Sequence, residues 1–239
     1  MIEIKNLTIA FDDNIVLRNI DLQIPRNKIT TIVGQSGSGK SVLVKAIEGL
    51  IQPQTGTIRI DGEELIGQNR ENTKRIRKKV AMLFQGAALL DSLNVFQNVA
   101  LPLLEHSNLP YDKIVQEVKD KLEMVGLVDI LTKMPSELSG GMKKRVALAR
   151  AIILHPDYII YDEPTTGLDP IIADEITDLI LKMHHDYQIT SVIITHDIDC
   201  IRKLQGRIAM IHAQKIIFQG EFSEFIASSN PYIKQFIGN

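Results

Sequence analysis

The octapeptide GQSGSGKS, Gly34 to Ser41, stands between a short apolar run, KITTIVG, and VLVKAIEGL, whose apolar residues recur at helical spacing. Gly34, Gly37 and Gly39 carry a backbone-entropy cost that a plain connector does not need, and they let main-chain N–H groups converge on one point. An anion satisfies that point. The spacing of Gly34, Gly39, Lys40 and Ser41 fits G-x-x-x-x-G-K-[ST], a loop that cradles phosphates at the positive end of the following helix. Gln35, Ser36, Gly37 and Ser38 complete the loop, and Val42 opens the helix. Lys40 is placed to reach β- and γ-phosphates, and Ser41 offers a hydroxyl to magnesium, which prefers hard oxygen ligands. The dinucleotide pattern G-x-G-x-x-G is absent, which disfavours nicotinamide chemistry.

With 239 residues, 44% of them hydrophobic, the chain can bury one large core, or a core with a subdomain inserted into it. A net charge of -2 provides no overall footprint for nucleic acid, so no nucleic-acid partner is expected. The basic stretch NTKRIRKKV, residues 72 to 80, reads as a solvated helix face leading into the apolar run VAMLF. A single cysteine, Cys200, excludes an intrachain disulfide framework and fits a reducing cytosol. No apolar run approaches the roughly 20 residues that span a bilayer, and MIEIKNLTIAFDD lacks the charged-then-apolar form of a signal peptide. A cytoplasmic location is the expectation.

EIKNLTIAF and VLRNIDLQI largely alternate apolar and polar residues, which predicts two strands with one buried face. KITTIVG, YIIYDE and TSVIITHD recur with helical segments between them, as in a mostly parallel sheet, so the fold class is α/β. Between Gln85 and about Pro156 the character changes. YDKIVQEVKDKLEMVG reads as an amphipathic helix stopped by Gly126, and another helix begins near Gly141. The expected organisation is one domain over 1–239, with residues 1–85 and 156–239 forming an α/β core around a helical insertion, 86–155. RIAMIHA and KIIFQG resume strand character, and SEFIAS and NPYIKQFI suit short closing helices.

Asp162 and Glu163 end an apolar run, so a buried strand delivers two carboxylates to a sheet edge where ligands collect. Asp162 suits a magnesium ligand, directly or through water, and Glu163 is placed to polarise an attacking water. In ELSGGMKKRVALARAI, Ser139, Gly140 and Gly141 precede a second helix, forming either another anion site or an ordinary N-capped helix. One phosphate chain cannot easily use both loops from separate subdomains of one subunit. A head-to-tail dimer resolves that.

Over essentially its whole length the sequence resembles the ATP-binding-cassette (ABC) ATPases. GQSGSGKS is similar to Walker A, Gln85 in VAMLFQG to the Q-loop glutamine, LSGGM to the signature, YIIYDE to Walker B, TGLD to the D-loop, and His196 in ITHD to the switch histidine. They occur in the family's order. The resemblance implies a P-loop NTPase (RecA-like) core with an N-terminal antiparallel β subdomain and the inserted helical subdomain. It also implies two cassettes enclosing two ATP molecules, with Leu138, Ser139, Gly140 and Gly141 facing the nucleotide on the opposite Walker A and Asp169 in the D-loop. Gln85 is assigned to magnesium and the attacking water, and His196 to the γ-phosphate. Phe11, 23 residues before the phosphate loop, matches the family's adenine-stacking aromatic, with Val16 on the other side of the base. Met142 departs from the glutamine that many members carry after LSGG.

Around MLFQGAALLDSLNVFQNVALPL and PSELSGGMKKRVALARAI the resemblance narrows to the MCE-associated ATPases of Mla-type lipid-asymmetry transporters. This implies a transport ATPase moving phospholipid, the alternative being an importer of amino acids or other small solutes. Implied partners are a second copy of the chain, transmembrane permease subunits, an MCE lipid-binding protein and a small STAS-domain protein. The implied location is the cytoplasmic face of the inner membrane, held there through the permease. Leu89, Leu90 and Val95 are candidates for exposed apolar residues that receive a coupling helix from the membrane subunit, core packing being the alternative for any one of them.

Overall fold

The computed structural model describes residues 1–12 and 14–238. Strands β1 (Ile2–Phe11) and β2 (Asn14–Ile24) open the chain. Strand β3 (Ile29–Val33), helix α1 (Lys40–Ile47), strands β4 (Thr55–Ile60) and β5 (Glu63–Glu64), helix α2 (Arg70–Arg77) and strand β6 (Val80–Leu83) follow. Next come helices α3 (Val95–His106), α4 (Tyr111–Met124) and α5 (Gly140–Ile152) before strand β7 (Tyr158–Asp162). Helix α6 (Pro170–Tyr187), strand β8 (Thr190–Ile194), helix α7 (Ile198–Leu204), strands β9 (Arg207–His212) and β10 (Lys215–Glu221), and helices α8 (Phe222–Ile226) and α9 (Pro231–Ile237) complete it.

Two sheets result. The first, ordered β2-β1-β4-β5, is antiparallel, and the second runs β10-β9-β3-β8-β7-β6 with only β10 antiparallel to its neighbour. Alternation in β1 slips by one residue, because Ile2 and Ile4 share the buried face with Leu7 and Ile9. The slip is a register shift at Asn6, which adopts a left-handed φ of 49°, and Asn19 in β2 does the same at 48°. Asparagine tolerates that conformation, and such bulges sharpen sheet twist.

The period of two partitions the core. Ile160, Val192 and Ile194 pack with α1 and the inner face of the first sheet, whereas Ile159, Tyr161 and Ile193 pack against the helical side. α1 therefore lies between the two sheets, and the three helices inserted between β6 and β7 share the opposite core. A third cluster joins Val33, Ile208 and Met210 to Ile201 from α7 and to Phe225 and Ile233 from the closing helices α8 and α9.

Local chemistry fixes the insertion. Asn94 caps α3 by accepting from the Gln97 amide at 2.8 Å, and Gln97 reciprocates at 3.0 Å. Asn98 is fully buried; its Nδ2 donates to the carbonyls of Leu90, Leu93 and Asn94, and its Oδ1 accepts from the Leu90 amide. That one side chain folds the loop after the Gln85 strand. For Val95 the core-packing alternative holds: it is 0% exposed because the first turn of α3 directs it into the helical core. No described helix is long and apolar enough to cross a membrane.

Candidate nucleotide-binding and catalytic site

Buried strand β3 delivers Gly34 to the carboxyl edge of the parallel sheet, where α1 starts. A Cβ on Gly34 would stand 2.5 Å from the Ile211 carbonyl oxygen, so close backbone approach demands glycine there, and at Gly39 a φ of 98° does. Gly39 is the N-cap of α1 and has no side chain to accept from the first-turn amides. Those N–H groups are free for an anion, and the helix dipole adds positive potential. Lys40 Nζ donates to the carbonyls of Gly34 at 2.8 Å and Gln35 at 2.9 Å, which holds the ammonium in the loop's mouth. Ser38 Oγ is buried without a hydrogen-bond partner, as a loop shaped around a ligand would leave it.

Two neighbouring strands supply the chemistry. Asp162 pairs with Ile194 at the ends of β7 and β8, and the next residue of β7's chain, Glu163, turns into a left-handed φ of 48°. The Glu163 amide donates to the Ile194 carbonyl at 2.8 Å. Its carboxylate is held twice: Thr166 Oγ1 donates to Oε2 at 2.9 Å, and His196 Nδ1 lies 2.9 Å from Oε1. The loops after β7 and β8 are joined again where Thr165 Oγ1 donates to Asp197 at 3.0 Å. Asp197 also caps α7 by accepting from the amides of Asp199 and Cys200. Left-handed backbone at a non-glycine residue is strained by about 1–2 kcal/mol, and here flanking bonds hold it in place.

Burial pushes the Asp162 carboxyl above the usual carboxylate range, and neighbouring Glu163 adds to the rise, while Lys40, Lys45 and Lys144 oppose it. Burial lowers Lys40 below the ordinary lysine range, opposed by Glu163 and Asp162. The result is a compact cluster of opposite charges. Among the described residues no group of three His, Cys, Asp or Glu is gathered to enclose a metal. The three residues that the sequence assigns to magnesium, Ser41, Asp162 and Gln85, each carry a side-chain oxygen; Ser41 and Gln85 line a common cavity, and Asp162 stands at the end of β7.

A cavity of about 770 Å³ brings the parts together. Val16, Gly34 to Gly37, Gly39 to Val42, Gln85, Glu163 and His196 all line it. Phe11 does not; it stands 47% exposed at the end of β1, paired with Asn14 across the hairpin. Leu138 is buried in the helical core, so its side chain is committed to packing. Ser139 caps α5, accepting from the Met142 amide at 3.3 Å. Asp169 caps α6, accepting from Ile171 and Ile172 at 3.2 and 3.1 Å. A Cβ on Gly141 would come within 2.6 Å of Ile172 Cγ2, so the two helix starts sit against each other.

Sequence reasoning missed one wall of the cavity. Met210, His212, Tyr232, Gln235 and Phe236 line it from β9 and α9, with the rings of His212 and Tyr232 stacked 3.8 Å apart. No local motif marks these residues. Thr166 was also missed, although its place three residues after Glu163 was a usable signal.

The protein-family model described as ABC transporter matches residues 17–166. The intermembrane phospholipid transport system ATP-binding protein MlaF of Haemophilus influenzae is 41% identical over 237 residues, covering 99% of this chain and 90% of that protein. A probable ribonucleotide transport ATP-binding protein, mkl of Mycobacterium leprae, is 36% identical, covering 99% of this chain and 68% of its own length. Among solved structures, a dimeric post-hydrolysis state of the ATP-binding cassette MJ0796 bound to ADP and Pi superposes with a TM-score of 0.84 at 30% identity, covering 92% of this chain and 98% of that one.

Proposed function

This chain belongs to the ABC transporter family, and from that premise we propose that it is the ATP-binding and ATP-hydrolysing subunit of a phospholipid transport system. The observation that carries the ATPase reading is the single cavity in which the phosphate loop meets Gln85, Glu163 and His196. The cargo rests on the likeness to MlaF over 99% of the chain, at higher identity than to the ribonucleotide transporter's subunit.

In this reading the amides from Gly34 to Ser41 and the Lys40 ammonium hold the phosphates, and Val16, with Phe11 brought nearer, flanks the base. Ser41, Asp162 and Gln85 would hold magnesium, which when bound would supply neutralisation of phosphate charge. Glu163 polarises the attacking water; Thr166 and His196 hold its carboxylate at a fixed angle, so little reorganisation accompanies the reaction. His196, exposed beyond Glu163, also reaches the γ-phosphate. The N-terminus of α5, with Ser139, Gly140 and Gly141, faces the nucleotide of a second copy, and Asp169 sets the adjoining α6 end. The dimeric cassette with ADP and Pi supports that arrangement.

A groove of about 590 Å³ supports docking of a membrane subunit. Phe84, Leu90, Leu101 and Pro102 line it, with Lys74, Arg77, Lys78 and Arg150 among its basic residues. Leu90 is 45% exposed there, and Leu89 is half-buried against the helical core. A permease, an MCE lipid-binding protein and a STAS-domain protein are the proposed partners, at the cytoplasmic face of the inner membrane.

Reconstitution of the copurified complex in vesicles, with labelled phospholipid and separately with labelled amino acids, tests the cargo. ATP-dependent phospholipid movement is expected. Amino-acid movement without lipid transfer would overturn the cargo and leave the ATPase standing.

A further inference from the structure

Lys144 lies on α5, the helix whose first residues are proposed to serve the partner's nucleotide, yet its side chain runs back into its own subunit. It is only 5% exposed. Its Nζ donates to the Gln85 main-chain carbonyl and lies 3.4 Å from that of Glu163. These carbonyls belong to different loops, leaving the ends of neighbouring parallel strands β6 and β7.

Placing an ammonium in a buried position is costly unless its donors are used. Burial lowers the proton affinity of Lys144, and the carboxylates of Asp162 and Glu163 oppose that effect. A methionine would fill similar space without the desolvation. The lysine supplies instead a tie between the helical insertion and both catalytic loops.

The tie acts where the backbone is strained. Glu163, at a φ of 48°, has its amide held by Ile194 and its carbonyl approached by Lys144, so the peptides on both sides of the carboxylate are restrained. On the other loop, Arg150 two turns along α5 donates to the carbonyls of Ala87 at 3.0 Å and Ala88 at 2.8 Å, both residues being left-handed. One helix thus grips the Gln85 loop at three carbonyls.

We propose that Lys144 is a positioning residue for ATP hydrolysis, fixing Gln85 and Glu163 against the nucleotide by hydrogen-bonding their main chains. It touches no reacting atom. Because the same helix carries Ser139, the anchorage also transmits the position of the signature end to the subunit's own catalytic loops. The inference rests on the ATPase reading above.

The test compares full-length Lys144→Met, Lys144→Gln and Lys144→Arg for fluorescent-ATP affinity, steady-state hydrolysis of Mg-ATP and melting temperature. Misplacement of reacting groups by about 1 Å is worth about 100-fold, so Lys144→Met is expected to lose about 10- to 100-fold in kcat. KM and nucleotide affinity should stay within about threefold, since the phosphate loop is untouched. Arginine and glutamine retain donors and should recover most of the rate. Wild-type kcat in Lys144→Met, or equal losses of affinity, kcat and melting temperature in all three variants, would overturn the proposal. If the methionine variant does not fold, Lys144→Gln decides: recovered kcat supports the donor role, and a glutamine variant as inactive as Glu163→Gln refutes it. Absence of hydrolysis by the wild-type chain would sink the ATPase reading itself, an outcome distinct from these.

Discussion

His196 Nδ1 stands 2.9 Å from Glu163 Oε1, joining the loops that follow two adjacent strands. The opposite carboxylate oxygen is held by Thr166, so Glu163 has little freedom to turn from the cavity. Glu163→Gln keeps the size of the side chain but removes the base. Turnover should fall by about two to three orders of magnitude, as for loss of a general base, while ATP affinity persists. Parallel measurement of steady-state hydrolysis and nucleotide binding checks this; near-normal turnover would refute the assignment.

Lys40 and Ser139 act on opposite halves of a composite site in the proposed dimer. Lys40→Ala should weaken nucleotide binding or hydrolysis by removing the ammonium at the loop mouth. Ser139→Arg should spare binding by the monomer and block closure by adding bulk at the α5 cap. Mixed dimers concentrate both lesions in one site and leave the other intact, so activity should return above that of either homodimer. The same loss of monomer affinity in both variants would argue against shared sites.

Leu90 projects into the apolar groove while Asn98 fixes the backbone behind it. An aspartate there replaces apolar contact with a carboxylate whose desolvation against an incoming apolar helix is costly, even beside the groove's basic residues. Leu90→Asp should weaken retention of the membrane subunit by about tenfold or more while fluorescent-ATP binding survives. Unchanged copurification and transport would place the contact elsewhere.

Glu48 closes α1, and its Oε2 is buried without a hydrogen-bond partner. Burial raises its pKa from 4.5 to about 7, Arg77 opposes the rise, and Asp162 adds to it. Between those values the folded chain keeps a proton that the unfolded chain releases, so stability falls as pH rises through that window and is level above it. Glu48→Gln should therefore be the more stable form at pH 8, by at most about 3 kcal/mol, with the difference vanishing below about pH 4.5. Denaturant titrations at the two pH values read the effect. A variant less stable at pH 8 would contradict it.

The glycine-rich loop before α1, the acidic pair that ends YIIYDE and the alternating first hairpin were legible because each is a local solution to a local problem. Close glycines, helix amides and period-two burial leave their pattern within a dozen residues. The bulges at Asn6 and Asn19 explain why the alternation was imperfect. Val95 stayed open between exposure and packing because a short apolar stretch does not say which side of a helix meets the core; the cap at Asn94 and the packing of α3 settled that. The carboxylate of Glu163 and the ring of His196 meet across 33 residues, and Lys144 reaches loops 59 and 19 residues away. Such meetings depend on strand order and on how α5 lies against β6 and β7. The same holds for Tyr232 and Gln235, brought to the cavity by α9 packing beside β9. Sequence by itself determined where the glycine loop enters α1 and where the acid pair falls, since short-range geometry fixes their spacing. Only the tertiary structure decided what holds those groups in place, because that support comes from hydrogen bonds between segments that neighbour one another solely through the fold.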